Sequence, residues 1–459
     1  MLQTRFSRYY HLNLPLEMVD PEVFRLNHDE MMRQYEGLEL IASENFASRA
    51  SMEALNSHFN NKYSEGYPGN RYYGGNEVVD KLERLTQERA LKCFGLNPNI
   101  WGVNVQALSG SAANLAVYTG LIPPGGRLMG LLLSDGGHLT HGHRTKARSV
   151  SASSLFWQSL PYICDSKTSM IDYDYLHKSA CLYKPHLIIA GTSSYPRNID
   201  YKRIKATAKE SGSILMADMA HISGLVAAGL APSPFEFCDV VTTTTHKTLR
   251  GVRGSLIFYR KKKEKNAIDY ESKINNAVFP GLQGGPHMHQ VAAVAVCLKE
   301  AMEPEFLQYQ KQVISNMRVM SNRLMKNGIK LVTNGTDTHL SVIDLRNLSI
   351  DGIKAEYLLD HSNISVNKNS IPGDSKPGSP YGIRIGSPAL TSRGLKEKDF
   401  EIVADMVVRG LNIAQEIDKI SGNKISDFKS NVLNNASVSD LRKEVKEFST
   451  SFPLPGKIF

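Results

Sequence analysis

A lysine stands at the end of a run of β-branched residues, Val240-Val241-Thr242-Thr243-Thr244-Thr245-His246-Lys247. Branched Cβ atoms are crowded in a helix and comfortable in extended backbone, so residues 237–243 read as a strand that delivers Lys247 to its exit. A primary amine held there suits Schiff-base chemistry. A second apolar run, Ser213-Ile214-Leu215-Met216-Ala217, ends at Asp218, 29 residues before Lys247, which leaves room for one helical crossover between parallel strands. An amine for the Schiff base and a carboxylate to keep a pyridine nitrogen protonated are what pyridoxal 5'-phosphate requires. Taken alone, such a pair also occurs at strand ends in many α/β enzymes.

Four further stretches carry groups with chemical potential. Ser109-Gly110-Ser111 precedes the helical stretch Ala112–Thr119, where backbone N–H groups and two hydroxyls could meet a phosphate or simply cap the helix. The stretch 136–143 holds His138, His141 and His143, but its spacing is unlike a helical metal motif and only Asp135 stands beside it, so no metal is expected. His138, just after two glycines, suits stacking on a flat cofactor, with a buried structural histidine the alternative. Glu65 lies in the tyrosine- and glycine-rich loop 60–75, where partial desolvation among phenols would let it exchange a proton near neutrality; an ordinary ion pair is the other reading. Gly382-Ile383-Arg384-Ile385-Gly386 sets one guanidinium in apolar company, suited to clamping an amino-acid carboxylate or to a structural salt bridge.

The 459 residues allow two or three domains, and 41% hydrophobic content is ordinary for a folded enzyme. The richest apolar stretch, Val291 to Leu298, falls far short of the ~18 residues of a spanning helix, so no membrane association is expected. Five scattered cysteines without CxxC spacing argue against disulfides or a zinc module and suit a reducing, cytoplasmic compartment. Thr4, Arg5, Ser7, Arg8 and His11, all before the first acid Glu17, leave a mitochondrial presequence as the alternative. A net charge of +9 favours an anionic partner. The sharpest basic run, residues 260–265, lacks interleaved aromatics and reads as a solvated loop, so nucleic acid is not the expected partner.

The elements that must position these groups fall into three segments. Residues 1–45 read as an arm mixing a short helix with extended chain, of the kind that reaches across to another subunit. Residues 46–300 alternate strand-like runs (Leu128–Leu133, Leu155–Phe156, Leu187–Ala190, Ile214–Ala217, Val240–Thr243, Leu256–Tyr259) with helical stretches, the pattern of a mainly parallel sheet covered on both faces. Residues 301–459 read as a smaller α+β unit with a helix at 305–327, a strand at Leu340–Leu345 and an amphipathic helix at 395–418 carrying Phe400, Val403, Val407, Leu411 and Ala414. The Pro- and Gly-rich segment 371–380 reads as a surface loop near the cleft.

Taken together, these stretches resemble the serine hydroxymethyltransferase family, pyridoxal-phosphate enzymes of the aspartate-aminotransferase fold (fold type I). The likeness runs from about Val19 to Lys419 and is carried by residues 37–46, 60–75, 108–114, 135–142, 191–197, 218–229, 240–251, 278–287, 366–374 and 382–394. It implies reversible transfer of the serine hydroxymethyl carbon to tetrahydrofolate, giving glycine and 5,10-methylenetetrahydrofolate. It further implies that Lys247 holds the cofactor, Asp218 its ring nitrogen, His138 its ring face, and Ser193 and His221 the 3-oxygen and its surroundings. Ser109, Gly110 and Ser111 would hold the phosphate, joined by Gly284, Gly285 and Tyr63 of a neighbouring subunit. Arg384, Ser43 and His246 match the substrate carboxylate site, and Glu65 the group that manages the hydroxymethyl proton, supported by Tyr73, Arg253 and Thr244. Leu133, Gly137, Phe279 and Asn369 match folate positions, and the basic surface suits a polyglutamate tail. Val252 stands where many relatives carry proline or cysteine. Gly125 stands where tetrameric members have an interface histidine, which favours a homodimer with shared active sites over a tetramer. Threonine aldolase, which cleaves the same bond without folate, and an idle or RNA-binding scaffold are the rival readings.

Overall fold

The computed structural model describes residues 10–145, 148–262, 264, 266–374, 379–422 and 424–456. Its larger sheet has seven strands: β1 (Trp101–Asn104), β2 (Arg127–Met129), β3 (Gln158–Ser159), β4 (Leu187–Gly191), β5 (Ile214–Asp218), β6 (Val240–Thr244) and β7 (Ser255–Arg260). They lie in the order β1-β7-β6-β5-β4-β2-β3. The pairs from β3 through β2, β4 and β5 to β6 are parallel, and β7 runs antiparallel to β6 and β1. Successive side chains of a strand point to opposite faces. Ile188, Ala190, Leu215, Ala217, Val241 and Phe258 therefore enter one apolar core, whereas Leu187, Ile189, Met216, Val240 and Ile257 enter another. Helix α1 (Gly110–Leu121) covers the second face with Ala113, Ala116 and Val117. Helices α2 (Tyr173–Tyr183) and α3 (Tyr201–Ser211) cover the first with Leu176, Ala180, Ile204 and Ala208. Burial on both sides is why these strands read as continuous apolar runs.

Several boundaries differ from the sequence reading. Leu155 and Phe156 are not a strand but the exposed end of a short helix, Ala152–Phe156, begun by Ser151, whose hydroxyl accepts from Ser153 N; the strand comes after it. The run from Leu128 stops pairing continuously at Met129, and Leu133 opens a tight turn. Residues 237–239 precede β6 because the amides of Phe237 and Cys238 turn back to Pro234 O. Strand β1 was not expected at all. The N-terminal segment holds a 16-residue helix, Pro21–Glu36, rather than a short one; Asp20 accepts from Val23 N at 3.0 Å, and Pro21 occupies the first turn. None of this helix is buried, and Val23, Phe24 and Leu26 are exposed.

A second, antiparallel sheet, β8 (Lys330–Leu331), β9 (Leu340–Asp344), β10 (Asn367–Asn369) and β11 (Gly382–Gly386), has the order β8-β9-β11-β10. Helices α4 (Pro304–Lys326) and α5 (Glu397–Ser421) back it. Phe400, Val403, Val407, Leu411 and Ala414 all enter the core they share with Ile343, Ile383 and Ile385. Beyond it the chain adds helices Ile425–Leu433 and Ala436–Thr450. Leu38–Glu39 pairs in parallel with Ile364–Ser365, tying the end of the N-terminal segment to this unit. Of the 371–380 loop, residues 375–378 lie outside the described residues, as do 263 and 265 of the basic run and residues 1–9.

Candidate active site

The carboxyl ends of β4, β5 and β6 and the amino end of α1 converge on a cavity of about 360 Å³. Ligands of parallel α/β sheets characteristically bind outside these strand ends. Lys247 enters it three residues after β6, and its carbonyl accepts from Asn45 Nδ2 at 2.9 Å. Asp218, the last residue of β5, accepts from Asn114 Nδ2 at 2.8 Å and faces His141 Nε2 at 2.9 Å. Ser109, Gly110 and Ser111 line the cavity at the start of α1, and the Ser109 hydroxyl is not spent on capping that helix. Thr244 ends β6, and its Oγ1 donates to Ala220 O. His138, Ser193, His221, His246, Ser43 and the exposed Arg253 complete the part of the expected set that meets here.

The electrostatics follow from burial opposed by specific partners. Burial would raise the Asp218 carboxyl, but the hydrogen bond and charge of His141, with Asn114, hold it well below the ordinary carboxylate range. Burial, opposed by the attraction of Asp218 and reinforced by the charges of Arg384 and Arg253, brings the Lys247 ammonium down to about 8. Burial, then His141, Lys247 and Arg384, lowers His138 to about 4, and its Nδ1 lies 2.7 Å from Thr140 Oγ1. Burial, then Lys247 and Arg253, lowers His246 to about 3; its Nδ1 is buried without a partner. His221, also depressed by burial and by Lys247, stacks on His339.

Arg384 comes from the other sheet. It sits on β11, is only 8% exposed, and donates to Ser193 O at 2.8 Å, Asn367 Oδ1 at 3.0 Å, Ser193 Oγ at 3.3 Å and Ser43 Oγ at 3.4 Å. All four acceptors are neutral, and no described carboxylate forms an ion pair with it. Burial lowers its pKa to about 10 against the attraction of Glu44. The salt-bridge alternative is therefore not what this arginine makes.

Tyr63, Glu65, Tyr73, Gly284 and Gly285 gather elsewhere. A carbon added at Gly284 would stand 3.2 Å from Glu65 Oε1, and one at Gly285 would stand 3.1 Å from the Tyr63 ring. The Tyr63 and Tyr73 rings meet edge-on at 5.1 Å, and the Glu65 charge raises the Tyr73 phenol. None of the five lines the Lys247 cavity. The four folate positions divide likewise. Asn369 Nδ2 donates to Ser194 Oγ at 3.2 Å, and Leu133 and Gly137 lie on the turns beneath, where a side chain at Gly137 would collide with Leu131 O. Phe279 instead packs against Tyr72, at 5.5 Å, beside the tyrosine cluster.

Asn114, His141, Asn45, Asn367 and Glu44 were missed by sequence reasoning. His141 stood in the noted imidazole stretch, and Asn114 lies about one helical turn past Gly110 and Ser111; each was legible beside residues already singled out. Asn45 and Asn367 carried no chemical signal of their own beyond standing in segments 37–46 and 366–374, because only the tertiary fold brings their side chains in.

The donor set fits pyridoxal 5'-phosphate. It offers an amine with no hydrogen-bonding or ionic partner among the described residues, a buried carboxylate held as an anion, uncommitted hydroxyls at a helix amino end and the buried unpartnered His246 Nδ1. A family model described as serine hydroxymethyltransferase matches residues 16–407. A serine hydroxymethyltransferase of Caenorhabditis elegans is 55% identical over 452 residues, covering 96% of this chain and 89% of the relative. A cytosolic one of Oryctolagus cuniculus is 54% identical over 456 residues, covering 96% and 94%. A chloroplastic one of Arabidopsis thaliana is 54% identical over 444 residues, covering 95% and 84%. With the seven-stranded, mainly parallel sheet of a fold type I enzyme and this constellation at its strand ends, the chain belongs to the serine hydroxymethyltransferase family.

Proposed function

We infer that the chain catalyses reversible transfer of the serine hydroxymethyl carbon to tetrahydrofolate, yielding glycine and 5,10-methylenetetrahydrofolate, with pyridoxal 5'-phosphate as cofactor. The observation that carries the reading is Arg384, buried and forming no ion pair among the described residues, in the cavity that holds Lys247 and Asp218. Lys247 would hold the cofactor through Nζ. Asp218 would keep a proton on the ring nitrogen, His138 would lie against the ring, and Ser193 and His221 would meet the 3-oxygen. Ser109, Gly110 and Ser111 would take the phosphate, where backbone amides and the helix dipole favour an anion. When bound, pyridoxal phosphate withdraws electrons from the amino-acid Cα, so the bond perpendicular to its ring is weakened. Arg384, with Ser43 and His246, fixes the serine carboxylate and so selects Cα–Cβ rather than Cα–H for that position. Thr244 and Arg253 support the same side of the cavity. Leu133, Gly137 and Asn369 form one wall for tetrahydrofolate, and Phe279 the other. Folate-dependent cleavage of serine by the purified protein tests the assignment; aldol cleavage of β-hydroxy amino acids without it would favour the aldolase reading instead.

In this reading the active unit is a homodimer whose two sites are shared. Glu65, which manages the hydroxymethyl proton, and Tyr73 come from the partner with Tyr63, Gly284, Gly285 and Phe279. What supports this is that Glu65, Tyr73, Tyr63, Gly284 and Gly285 form one cluster away from their own Lys247, with Tyr63 and Tyr73 about half exposed. A second cavity of about 950 Å³ that shares Ser43, Glu44, His246 and Arg253 with the first is open to receive such a cluster. Sequence reasoning had assigned only Tyr63, Gly284 and Gly285 to the neighbour. Mixing inactive Lys247→Gln and Glu65→Gln chains under exchange should restore about one quarter of wild-type activity, because half the dimers are mixed and one site of each is intact. No recovery in proven mixed dimers would put Glu65 in the same site as its own Lys247. A cytoplasmic compartment, with a mitochondrial one the alternative, is supported by the cytosolic rabbit relative; imaging of the tagged chain decides it. No described helix is long and apolar enough to cross a membrane.

A further inference from the structure

Outside the residues that line either cavity, on two helices of the larger sheet, three side chains of different chemistry meet. His177 and Cys181 are four residues apart on α2 and so share a face; Glu210 faces them from the last turn of α3. Cys181 Sγ lies 3.6 Å from Glu210 Oε1, and His177 Nε2 lies 3.7 Å from Glu210 Oε2. The three ligand atoms all fall within 4.8 Å of one another. Ligands around a tetrahedral zinc ion, bonded at about 2.0 to 2.3 Å, stand roughly 3.3 to 3.6 Å apart, so small rotamer adjustments close the set. The other ring nitrogen of His177 is already engaged: its Nδ1 lies 3.4 Å from the buried Thr207 hydroxyl, which aims Nε2 outward as the outer partner of a zinc-binding imidazole does.

We propose that His177, Cys181 and Glu210 form a surface binding site for Zn²⁺, with water completing the coordination. Thiolate, imidazole and carboxylate together suit zinc better than the hard cations Mg²⁺ and Ca²⁺, which take oxygen ligands. As the Zn–S bond forms, the thiol proton passes to solvent and no oxidation state changes. Sequence spacing shows only a His-x3-Cys pair; the third ligand is supplied by the neighbouring helix, which is why scattered cysteines without CxxC did not reveal it. The ion would link α2 and α3, the helices that lead into β4, which ends two residues before Ser193, and β5, which ends at Asp218.

The test uses cofactor-saturated protein titrated with Zn²⁺ against a chelating indicator, and with Co²⁺ followed as a difference spectrum. One equivalent of Zn²⁺ should bind, and Cys181→Ser, His177→Gln and Glu210→Gln should each weaken it at least about tenfold. Cobalt should produce a near-ultraviolet thiolate charge-transfer band that Cys181→Ser abolishes. No saturable binding in the wild type overturns the proposal. Equal binding by Cys181→Ser overturns it too, and would direct attention to His138, His141 and Asp218, whose ligand atoms also lie within 4.8 Å of one another.

Discussion

Arg384→Met separates binding from folding, because it keeps a flexible side chain of similar volume, though shorter, while removing the charge. In the free chain the guanidinium is surrounded by neutral acceptors at 2.8 to 3.4 Å, and burial has already drawn its pKa down to about 10. On the clamp proposed above the serine carboxylate would be its counter-ion, and loss of one member of a buried pair costs about 3 kcal/mol or more. At about 1.4 kcal/mol per tenfold, serine affinity should fall about 150-fold or further. Stability should change far less. Losing the donor to Ser193 O and Asn367 Oδ1 costs about 1 to 3 kcal/mol, while deleting a poorly compensated buried cation offsets part of that. Spectral titration of the holoenzyme with serine, with thermal unfolding alongside, measures both. A second ligand sharpens the result: 2-aminoethanol keeps the amine and hydroxyl of serine but lacks the carboxylate, and should bind wild type and variant alike. Serine affinity within about threefold of wild type would remove Arg384 from the clamp. Equal losses for serine and 2-aminoethanol would show a disturbed cavity instead.

Lys247 gives a prediction in pH. Its ammonium is lowered from 10.5 to about 8 in the folded chain, so below pH 8 the cofactor-free protein carries a penalty that the unfolded chain does not, on the order of 3 kcal/mol. Between about pH 8 and 10.5 the unfolded state binds the extra proton, and the penalty shrinks as pH rises. Cofactor-free Lys247→Met should therefore be more stable than wild type at pH 7, with the difference closing toward pH 10.5 in urea melts; a difference independent of pH would contradict the depressed amine. Asn114→Ala removes the 2.8 Å donor to Asp218 and leaves Thr242 Oγ1 only the more distant Ala217 carbonyl, at 3.5 Å. A hydrogen bond to a charged group is worth about 1.5 to 3 kcal/mol, so cofactor retention in dialysis should weaken by about tenfold or more; unchanged retention would mean that Asp218 does not depend on this contact.

The strands and the site were not equally legible. β5, β6 and β7 announced themselves because they are buried on both faces and rich in branched residues, and the positions of Lys247 and Asp218 followed from them. β1 was overlooked because Trp101–Asn104 is short and includes a glycine and an asparagine. Leu155 and Phe156 misled because apolar character alone does not distinguish a strand from an exposed helix end, and the deciding residue was the serine before them. The groups around Arg384 were visible only as a lone arginine between isoleucines. That it forms no ion pair among the described residues is a property of three distant segments brought together, which no local pattern records.

Arg384 grows from the smaller sheet, yet its donors are spent on Ser193 at the end of a large-sheet strand and on Ser43 beside the N-terminal helix. With Arg384 as the proposed carboxylate clamp, the grip is a joint among separately rooted pieces, so loading the amino acid should also stiffen the contact between the two sheets. Occupancy should consequently be felt at a distance: amide hydrogen exchange ought to slow in β11 and around residue 43 when serine is added, and to stay unchanged with an amine that has no acid group.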